Sequence, residues 1–410
     1  MDWKKIVVPV LFVASIFLII YYQSTILVIG QFFADEGNST TSSFQKKIIE
    51  PPIKIAWHKP IKIAWHGRPG WLPPTFNFSG CGFSNCILSD SNTKPLDNYQ
   101  AVFFHYRRLS KHVPEKSKNQ IWIIWTNESP ANDGSLAKQW HNKFDWSASY
   151  REESEFSLRW AIKLRENSNK MQRNYTEIFR RKTKQVSWVV SNCNTQSQRR
   201  TYVEELKKHI TVDIYGNCGK NKTFCKRKSS IECHSSLSND YKFYLGFENS
   251  ICKDYITEKV FNNFQDHNKM VYVARSAPNL KSVIPAKTIV NTEDFESPKA
   301  LAQYLLKLSS NEKEYISYLK EKDKYYFPDE RLPRTFCSIC ELLHTYKNRK
   351  LKWSGRNFNA WFRNGACIKP NNGKDRLVIV DNYCVDVHTH NGGEHGHMIL
   401  MSFKYYENDM

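Results

Sequence analysis

Short apolar runs alternate with amphipathic stretches along most of the chain. The runs are rich in β-branched and aromatic residues, which is typical of strands, and the stretches between them repeat apolar residues at helical spacing. Strands that alternate with helices indicate parallel sheets covered by helices, so the pattern predicts an α/β fold. The predicted strands are Ala101–His105, Ile121–Trp125, Val186–Val190, Val212–Tyr215, Met270–Val273 and Thr288–Val290. The predicted helices are a basic stretch near 151–181, Thr201–His209, Pro298–Leu308 and Glu312–Lys324.

One octapeptide is duplicated before the first of these strands. Residues 52–59 read PIKIAWHK, and residues 60–67 read PIKIAWHG. Each copy alternates apolar and other side chains, as a strand does. Two copies are too few for a repeat architecture, so we expect one copy, the second, to form the first core strand.

An uncharged stretch near the N-terminus is long enough to cross a membrane. A spanning helix needs about 20 apolar residues, which predicts a transmembrane segment at 6–30. Two lysines precede this segment and two acidic residues follow it, which places residues 1–5 in the cytosol and 31–52 in a lumenal stem. A cleaved signal peptide is the alternative. An uncleaved anchor is favoured because no small-x-small cleavage site follows.

The cysteines and the glycosylation sequons agree with a lumenal address. Eleven cysteines in a lumenal protein imply disulfides, with one cysteine left over. Cys337 and Cys340 form a CxxC pair, which could be a redox pair or half of a zinc site, but no partner pair stands at zinc spacing. A fifth sequon, at Asn127, is an unsuitable acceptor because Pro130 follows it closely. The expected glycosylation sites are Asn38, Asn77, Asn174 and Asn221.

The net charge of +20 would suit a polyanionic partner. The basic residues are scattered, however, and a lumenal protein meets no nucleic acid. We therefore expect no nucleic-acid partner, and a negatively charged membrane and a diphosphate remain as anionic partners. Residues 346–410 are predicted to form a basic, irregular tail.

The most informative stretch joins a predicted strand to a predicted helix. The apolar run Phe243–Phe247 leads into Glu248-Asn249-Ser250, and Asp254 is a suitable N-cap for the next helix. Ile256, Val260 and Phe264 would form the buried face of that helix. Free N–H groups at the helix start, together with Lys259, could hold a diphosphate.

Both halves of this stretch resemble the donor-binding motif of the α-1,3-fucosyltransferases, written FENS and DYITEK. They stand here as Phe247–Ser250 and Asp254–Lys259. The resemblance runs from about residue 61 to residue 343. Further matching blocks are Ala101–Arg107, Glu128–Pro130, Phe144–Arg151, Val189–Asn192, Val212–Gly216 and Asp294–Pro298.

The resemblance implies two Rossmann-like domains that face each other across a cleft, an arrangement of the GT-B type. Residues 53–180 would form the acceptor-side domain, and residues 181–345 the domain that binds GDP-fucose. It also implies structural disulfides at two places. Cys81 and Cys86 stand in an early disulfide-bearing loop, and the CxxC of Cys337 and Cys340 would itself be a disulfide.

The resemblance further implies an inverting transfer of fucose with one general base on the acceptor side. Glu128, in the ESP motif, takes that role. The implied donor-binding residues are Ser191, Asn192, Arg199, Tyr244, Asn249, Tyr255, Glu258 and Lys259; Arg200 replaces Arg199 if the alignment shifts by one residue. No Asp-x-Asp motif precedes the donor region, so we expect no metal site and no required cofactor besides GDP-fucose as donor substrate. Stimulation by manganese stays open.

These implications describe a type II membrane protein of the Golgi that acts on a GlcNAc of a glycan. The acceptor is either an antennal lactosamine or the innermost GlcNAc of an N-glycan core. Two segments depart from the family pattern, at Phe156–Trp160 and at Lys269–Val273. They motivate the alternative of a non-catalytic Golgi protein that binds glycans or GDP-sugars.

Overall fold

The computed structural model describes residues 59–91, 95–219, 223–225, 229–345, 357–370, 375–380, 383–390 and 398–403. The predicted segments 1–5, 6–30 and 31–52 lie outside these residues, as do Asn38 and Asn221. Among the helices of the described ranges, none combines the length and the apolar character that crossing a bilayer requires.

Strands and helices alternate as the sequence predicts, and every predicted strand is present with ends that differ by at most two residues. The strands are β1 (Ile61–His66), β2 (Cys86–Asp90), β3 (Ala101–His105), β4 (Ile121–Thr126), β5 (Trp146–Ser149), β6 (Phe156–Ser157), β7 (Lys163–Leu164), β8 (Lys184–Val189), β9 (Val212–Tyr215), β10 (Tyr241–Phe247), β11 (Val271–Arg275), β12 (Ile289–Asn291), β13 (Tyr325–Tyr326), β14 (Asp375–Val380), β15 (Tyr383–His390) and β16 (Met398–Phe403). The α-helices are α1 (Pro130–Asp133), α2 (Tyr175–Arg181), α3 (Arg199–Leu206), α4 (Ser230–Asp240), α5 (Glu258–Phe261), α6 (Leu280–Val283), α7 (Pro298–Ser310), α8 (Glu312–Lys322), α9 (Arg331–Thr345) and α10 (Phe358–Arg363).

The first half of the described chain forms a parallel sheet with the strand order β2-β1-β3-β4-β5-β6. Its strand β1 is the second copy of the duplicated octapeptide, as predicted. Trp65 and Phe103 are buried on one face of the sheet, and Ala64 and Phe104 on the other. Because both faces are covered, the central strands β3 and β4 are nearly continuous apolar runs.

The second half forms a parallel sheet with the order β12-β11-β10-β8-β9. Helices α3, α7 and α8 pack against it and bury Leu206, Leu305 and Leu319 with the strands. Gly246 in β10 is required by close packing, since a Cβ there would lie 2.4 Å from the carbonyl oxygen of Lys259. Two parallel sheets flanked by helices confirm the predicted α/β fold.

Helix α9 leaves the second half and packs on the first sheet. Phe336 and Ile339 are buried there with Trp65. The predicted donor domain 181–345 therefore contains a helix that contributes to the core of the other half. A single domain boundary placed in the sequence cannot account for this return of the chain to the first sheet.

Two disulfides hold α9 in place, and they differ from the expected pairing. Cys337 bonds to Cys81, and Cys340 bonds to Cys86. The expectation of a disulfide within the CxxC is wrong, because both cysteines lie on the helix face that packs against the Cys81 loop and β2. A zinc site at Cys337 and Cys340 is excluded as well, since both thiols form disulfides.

Two other regions differ from the prediction. The basic stretch near 151–181 is α-helical only at α2, because β6 extends the first sheet and β7 pairs with β13. The tail 346–410 is not irregular over its described residues, since it contains α10 and an antiparallel sheet of β14, β15 and β16. Helix α10 is held by Phe358 and Phe362, which are buried against Tyr106.

Candidate functional site

Glu128 lies just beyond the carboxyl end of β4, the position expected from the sequence. Its backbone N–H donates to Thr126 Oγ1 over 3.1 Å. The next residue, Ser129, caps helix α1 by accepting from the N–H of Asn132, and Pro130 occupies the first turn. These contacts fix the backbone on both sides of Glu128 and leave its side chain to face the second sheet.

The carboxylate of Glu128 receives hydrogen bonds from both halves of the molecule. Its Oε2 accepts from Asn132 Nδ2 at 2.7 Å, from Tyr255 OH at 3.1 Å and from Asn249 Nδ2 at 3.4 Å. Arg107 Nη2 lies 3.9 Å away. The side chain is still 36% exposed. One carboxylate oxygen is thus held by neutral donors while the group stays accessible to a substrate hydroxyl.

The loop after β10 follows a different path from the predicted one. Asp254 has a left-handed backbone with φ 66° and does not cap a helix. Its side chain accepts from Asn279 Nδ2 at 2.7 Å and from the N–H of Glu152 at 3.2 Å, which ties the loop to its surroundings. Aspartate tolerates this conformation because its short polar side chain bonds locally.

Helix α5 begins at Glu258, with Thr257 as its N-cap. It has four residues and continues as a 3-10 turn at Asn262–Phe264. Ile256, Val260 and Phe264 are buried together as predicted, although Ile256 precedes the helix and Phe264 lies in the 3-10 turn.

Two of the N–H groups at the start of α5 are already used. The N–H of Thr257 donates to Glu248 Oε1 at 2.7 Å, and the N–H of Lys259 donates to Thr257 Oγ1 at 3.4 Å. The expectation that this helix start offers free N–H groups to a diphosphate is therefore wrong for these two groups. Attraction for an anion falls mainly to the side chain of Lys259.

Lys259 lies between two carboxylates. Its Nζ is 2.7 Å from Glu258 Oε1 and 3.6 Å from Glu248 Oε2, and the side chain is 29% exposed. Burial alone would lower the pKa of Lys259, but the two carboxylates outweigh burial and raise it. Burial alone would raise the pKa of Glu258, but Lys259 outweighs burial and lowers it. Lys259 is therefore a cation at neutral pH.

Glu248 is a site residue that the sequence reasoning missed. Its side chain is 0% exposed, and both of its carboxylate oxygens accept from Thr257 Oγ1 at 2.9 Å. Burial raises its pKa to about 7, even though the nearby Lys259 acts in the opposite direction. Its place in the FENS motif was the available signal, but its partner Thr257 could be identified only from the folded loop.

The remaining predicted donor-binding residues differ in how far they are exposed to solvent. Arg199 is 4% exposed, and its guanidinium donates to the carbonyl oxygens of Phe247 at 2.7 Å and Asn192 at 3.0 Å. Burial lowers the pKa of Arg199. Within the described part of the chain its Nε has no hydrogen-bond partner. Ser191 and Asn192 are exposed on the neighbouring loop.

Two predicted tyrosines differ in what their hydroxyls contact. Tyr255 is buried, and its hydroxyl donates to Glu128. Tyr244 is buried within β10, and its hydroxyl lies 3.0 Å from His234 Nε2. The structure therefore brings Asn249 and Tyr255 to Glu128, and groups Glu258 with Lys259, while the hydroxyl of Tyr244 is engaged by His234.

The predicted glycosylation sites among the described residues are exposed. Asn77 and Asn174 lie at the surface, each as the N-cap of a short helix. Asn127 is partly buried next to Glu128, and its Oδ1 is buried. Glycosylation at Asn77 and Asn174 stays a prediction.

The segment that carries α10 contacts both sides of the site. Cys367 is bonded to Cys252, in the loop between β10 and α5. Arg363 donates to the carbonyl oxygen of Pro130 at 2.8 Å. This segment therefore joins the loop that follows Glu128 to the loop that precedes Lys259.

Comparisons with known proteins give consistent matches. Residues 179–361 match the family profile described as glycosyltransferase family 10 (fucosyltransferase) C-term, and residues 52–161 match fucosyltransferase, N-terminal. The chain is 36% identical over 268 residues to glycoprotein 3-alpha-L-fucosyltransferase A of Drosophila melanogaster, covering 64% of this chain and 51% of that protein. The chain thus spans about half the length of that relative.

Two further matches cover more of their partners. The chain is 31% identical over 312 residues to 4-galactosyl-N-acetylglucosaminide 3-alpha-L-fucosyltransferase 9 of Mus musculus, covering 72% of this chain and 81% of that protein. A crystal structure of an α1,3-fucosyltransferase with GDP aligns with a TM-score of 0.48 and 18% identity, covering 77% of this chain and 96% of that chain.

Proposed function

Because the chain belongs to glycosyltransferase family 10, the fucosyltransferases, we propose that it transfers L-fucose from GDP-β-L-fucose in α-1,3 linkage to a GlcNAc of a glycan. The two parallel sheets would act as the acceptor and donor domains of a GT-B type enzyme. The observation that carries the proposal is the position of Glu128, whose carboxylate contacts Asn249 and Tyr255 of the donor motif.

On the acceptor side, Glu128 acts as the general base. The acceptor hydroxyl loses its proton to Glu128 as its oxygen bonds to the anomeric carbon of fucose. The bond between that carbon and the diphosphate oxygen breaks in the same displacement, which inverts the configuration. Asn132 and Tyr255 hold the carboxylate in place, so little reorganisation is needed before proton transfer.

On the donor side, Lys259 balances the charge of the departing diphosphate. Its Nζ contacts Glu258 and Thr257 here, and it would turn toward the phosphates when the donor binds. Arg199 would add a second cation. Glu258 would then accept from hydroxyls of the donor sugars. In this proposal side chains supply the positive charge, so no metal is required.

We further propose that the protein acts in the Golgi lumen as a type II membrane protein, anchored by residues 6–30. The names of the relatives specify a glycoprotein in one case and a 4-galactosyl-N-acetylglucosaminide in the other. The acceptor is therefore either the core of an N-glycan or an antennal lactosamine.

The test measures release of GDP from GDP-fucose by the full-length protein in detergent. The acceptor is lactosamine, a core N-glycopeptide or none. Release that depends on one acceptor supports the transferase and identifies the acceptor class. Absence of release with both acceptors from protein that binds GDP would instead support the non-catalytic alternative.

A further inference from the structure

Glu248 is a buried acid that the proposed mechanism does not use. Its carboxylate is inaccessible to solvent and lies 3.6 Å from Lys259 Nζ. It accepts from both the N–H and the hydroxyl of Thr257, at 2.7 and 2.9 Å. It therefore fixes the first residue of the turn that carries Lys259.

The backbone of Glu248 is held as firmly as its side chain. Its N–H donates to the carbonyl oxygen of Arg275 at 2.9 Å, and its own carbonyl oxygen accepts from Ser197 Oγ at 2.7 Å. With its backbone anchored in this way, the carboxylate cannot move to solvent without breaking its hydrogen bonds with Thr257. Its charge must be balanced where it lies.

Among the residues that the structure describes, few charged groups face Glu248. From α5 they are Lys259, at 3.6 Å, and Glu258. From α3 Arg199 is close enough to be affected by its charge, and so is Tyr255 from the preceding loop. Arg275 on β11 directs its Nη1 toward Glu293, 3.5 Å away. Lys259 is therefore the main cation that favours an ionised Glu248.

We propose that Glu248 positions Lys259 for the diphosphate of the donor and takes up a proton when the donor binds. The inference rests on the proposed donor site. A diphosphate brings negative charge to Lys259, so less of the lysine's field is left for Glu248. The acid is already close to half-protonated at neutral pH, since burial places its pKa at about 7. Additional negative charge raises this pKa and adds a proton.

Protonation keeps the loop intact. A neutral carboxyl group still accepts from Thr257 through its carbonyl oxygen and gains an O–H that can donate. Donor binding would thus neutralise one of the two acids beside Lys259, and the cation would be directed to the phosphates.

The experiment is isothermal titration of GDP into the full-length protein at pH 8, in buffers of different ionisation enthalpy. GDP is fully ionised at this pH, since its last phosphate proton has a pKa near ~6. The dependence of the binding enthalpy on the buffer gives the number of protons taken up. The Glu248→Gln variant is compared with the wild type, and Glu312→Gln on α8 is the matched control.

If the pKa of Glu248 rises by one to two units, the wild type should take up about 0.4 to 0.8 proton more than Glu248→Gln. By linkage, the affinity of the wild type for GDP should fall about three- to fivefold between pH 7 and pH 8. The affinity of Glu248→Gln should stay nearly constant, and Glu312→Gln should behave like the wild type.

Equal proton uptake by the wild type and Glu248→Gln, with GDP bound by both, would overturn the inference and leave the donor site standing. Failure of the wild type to bind GDP would overturn both. If Glu248→Gln does not fold, infrared difference spectra of the wild type with and without GDP test the inference instead. Appearance of a protonated buried carboxyl band upon GDP binding supports the inference, and its absence contradicts it.

Discussion

Ser129 donates a hydrogen bond to Ser250 over 2.6 Å, and both side chains are buried. Ser129 follows the proposed base Glu128, and Ser250 follows Asn249 of the donor motif. This contact between residues 121 positions apart in the chain therefore sets the distance between the two motifs. Ser250 accepts from Ser129 and donates to Asn249 Oδ1 at 3.0 Å, so the amide that contacts Glu128 is oriented as well.

Replacing Ser250 by Ala should impair both stability and catalysis. The buried hydroxyl of Ser129 would lose its partner, which costs about 1–3 kcal/mol of unfolding free energy. The matched change Ser129→Ala removes the other hydroxyl. Urea unfolding of both single variants and of the double variant measures the coupling. Additive effects of the two changes would contradict a direct bond between the residues.

Glu128→Gln should abolish transfer while GDP binding changes little. The amide fills the same volume but cannot take a proton, so kcat should fall about 10²- to 10⁴-fold. Release of GDP and the dissociation constant for GDP are measured on the same preparation. Glu152→Gln, an exposed acid in the loop after β5, is the control and should retain activity. Retention of most activity by Glu128→Gln would refute its role as the base.

Lys259→Met should weaken GDP binding about 10- to 100-fold, because a partly buried cation is lost from the diphosphate site. The methionine keeps most of the aliphatic volume and removes the charge. Titration of GDP measures the effect at two salt concentrations. Lys253→Met, in the preceding loop, is the matched control because Lys253 is exposed and paired with Glu153. If both variants bound GDP equally well, Lys259 would not contact the diphosphate.

The pH dependence of the free energy of unfolding should reveal the raised pKa of Glu248. Its pKa is about 7 in the folded protein and 4.5 in a free side chain. Between these values the folded state keeps a proton that the unfolded chain releases, so stability falls as pH rises. The full effect is about 3 kcal/mol and is complete above pH 7. Unfolding of the wild type and Glu248→Gln from pH 4.5 to 8 should show the variant gaining relative stability. A constant difference between them would contradict the raised pKa.

Much of the fold could be predicted from local patterns in the sequence. The strands Ala101–His105 and Val212–Tyr215 were predicted with their observed ends. In Ala101–His105 the reason is burial on both faces, which leaves a continuous apolar run. The position of Glu128 followed from β4 by the same logic. These predictions needed information from neighbouring residues alone.

Long-range contacts escaped prediction. The bonds of Glu248 with Thr257 depend on the left-handed turn at Asp254, whose φ is fixed by Asn279 on another loop. Asp254 is suited by residue type to cap a helix, but it forms this left-handed turn instead. The disulfide pattern depends on the return of α9 to the first sheet, and spacing within the CxxC carries no information about that path.

The crossing of α9 between the halves has a consequence for how the protein folds during its synthesis. The bonds from Cys81 and Cys86 span 256 and 254 residues. A ribosome that makes the chain from its N-terminus leaves Trp65 and Phe103 without Phe336, their covering aromatic, until most of the chain has emerged. The second sheet and its helices, by contrast, come from one uninterrupted stretch. The half that is synthesised first is thus the half that finishes folding last.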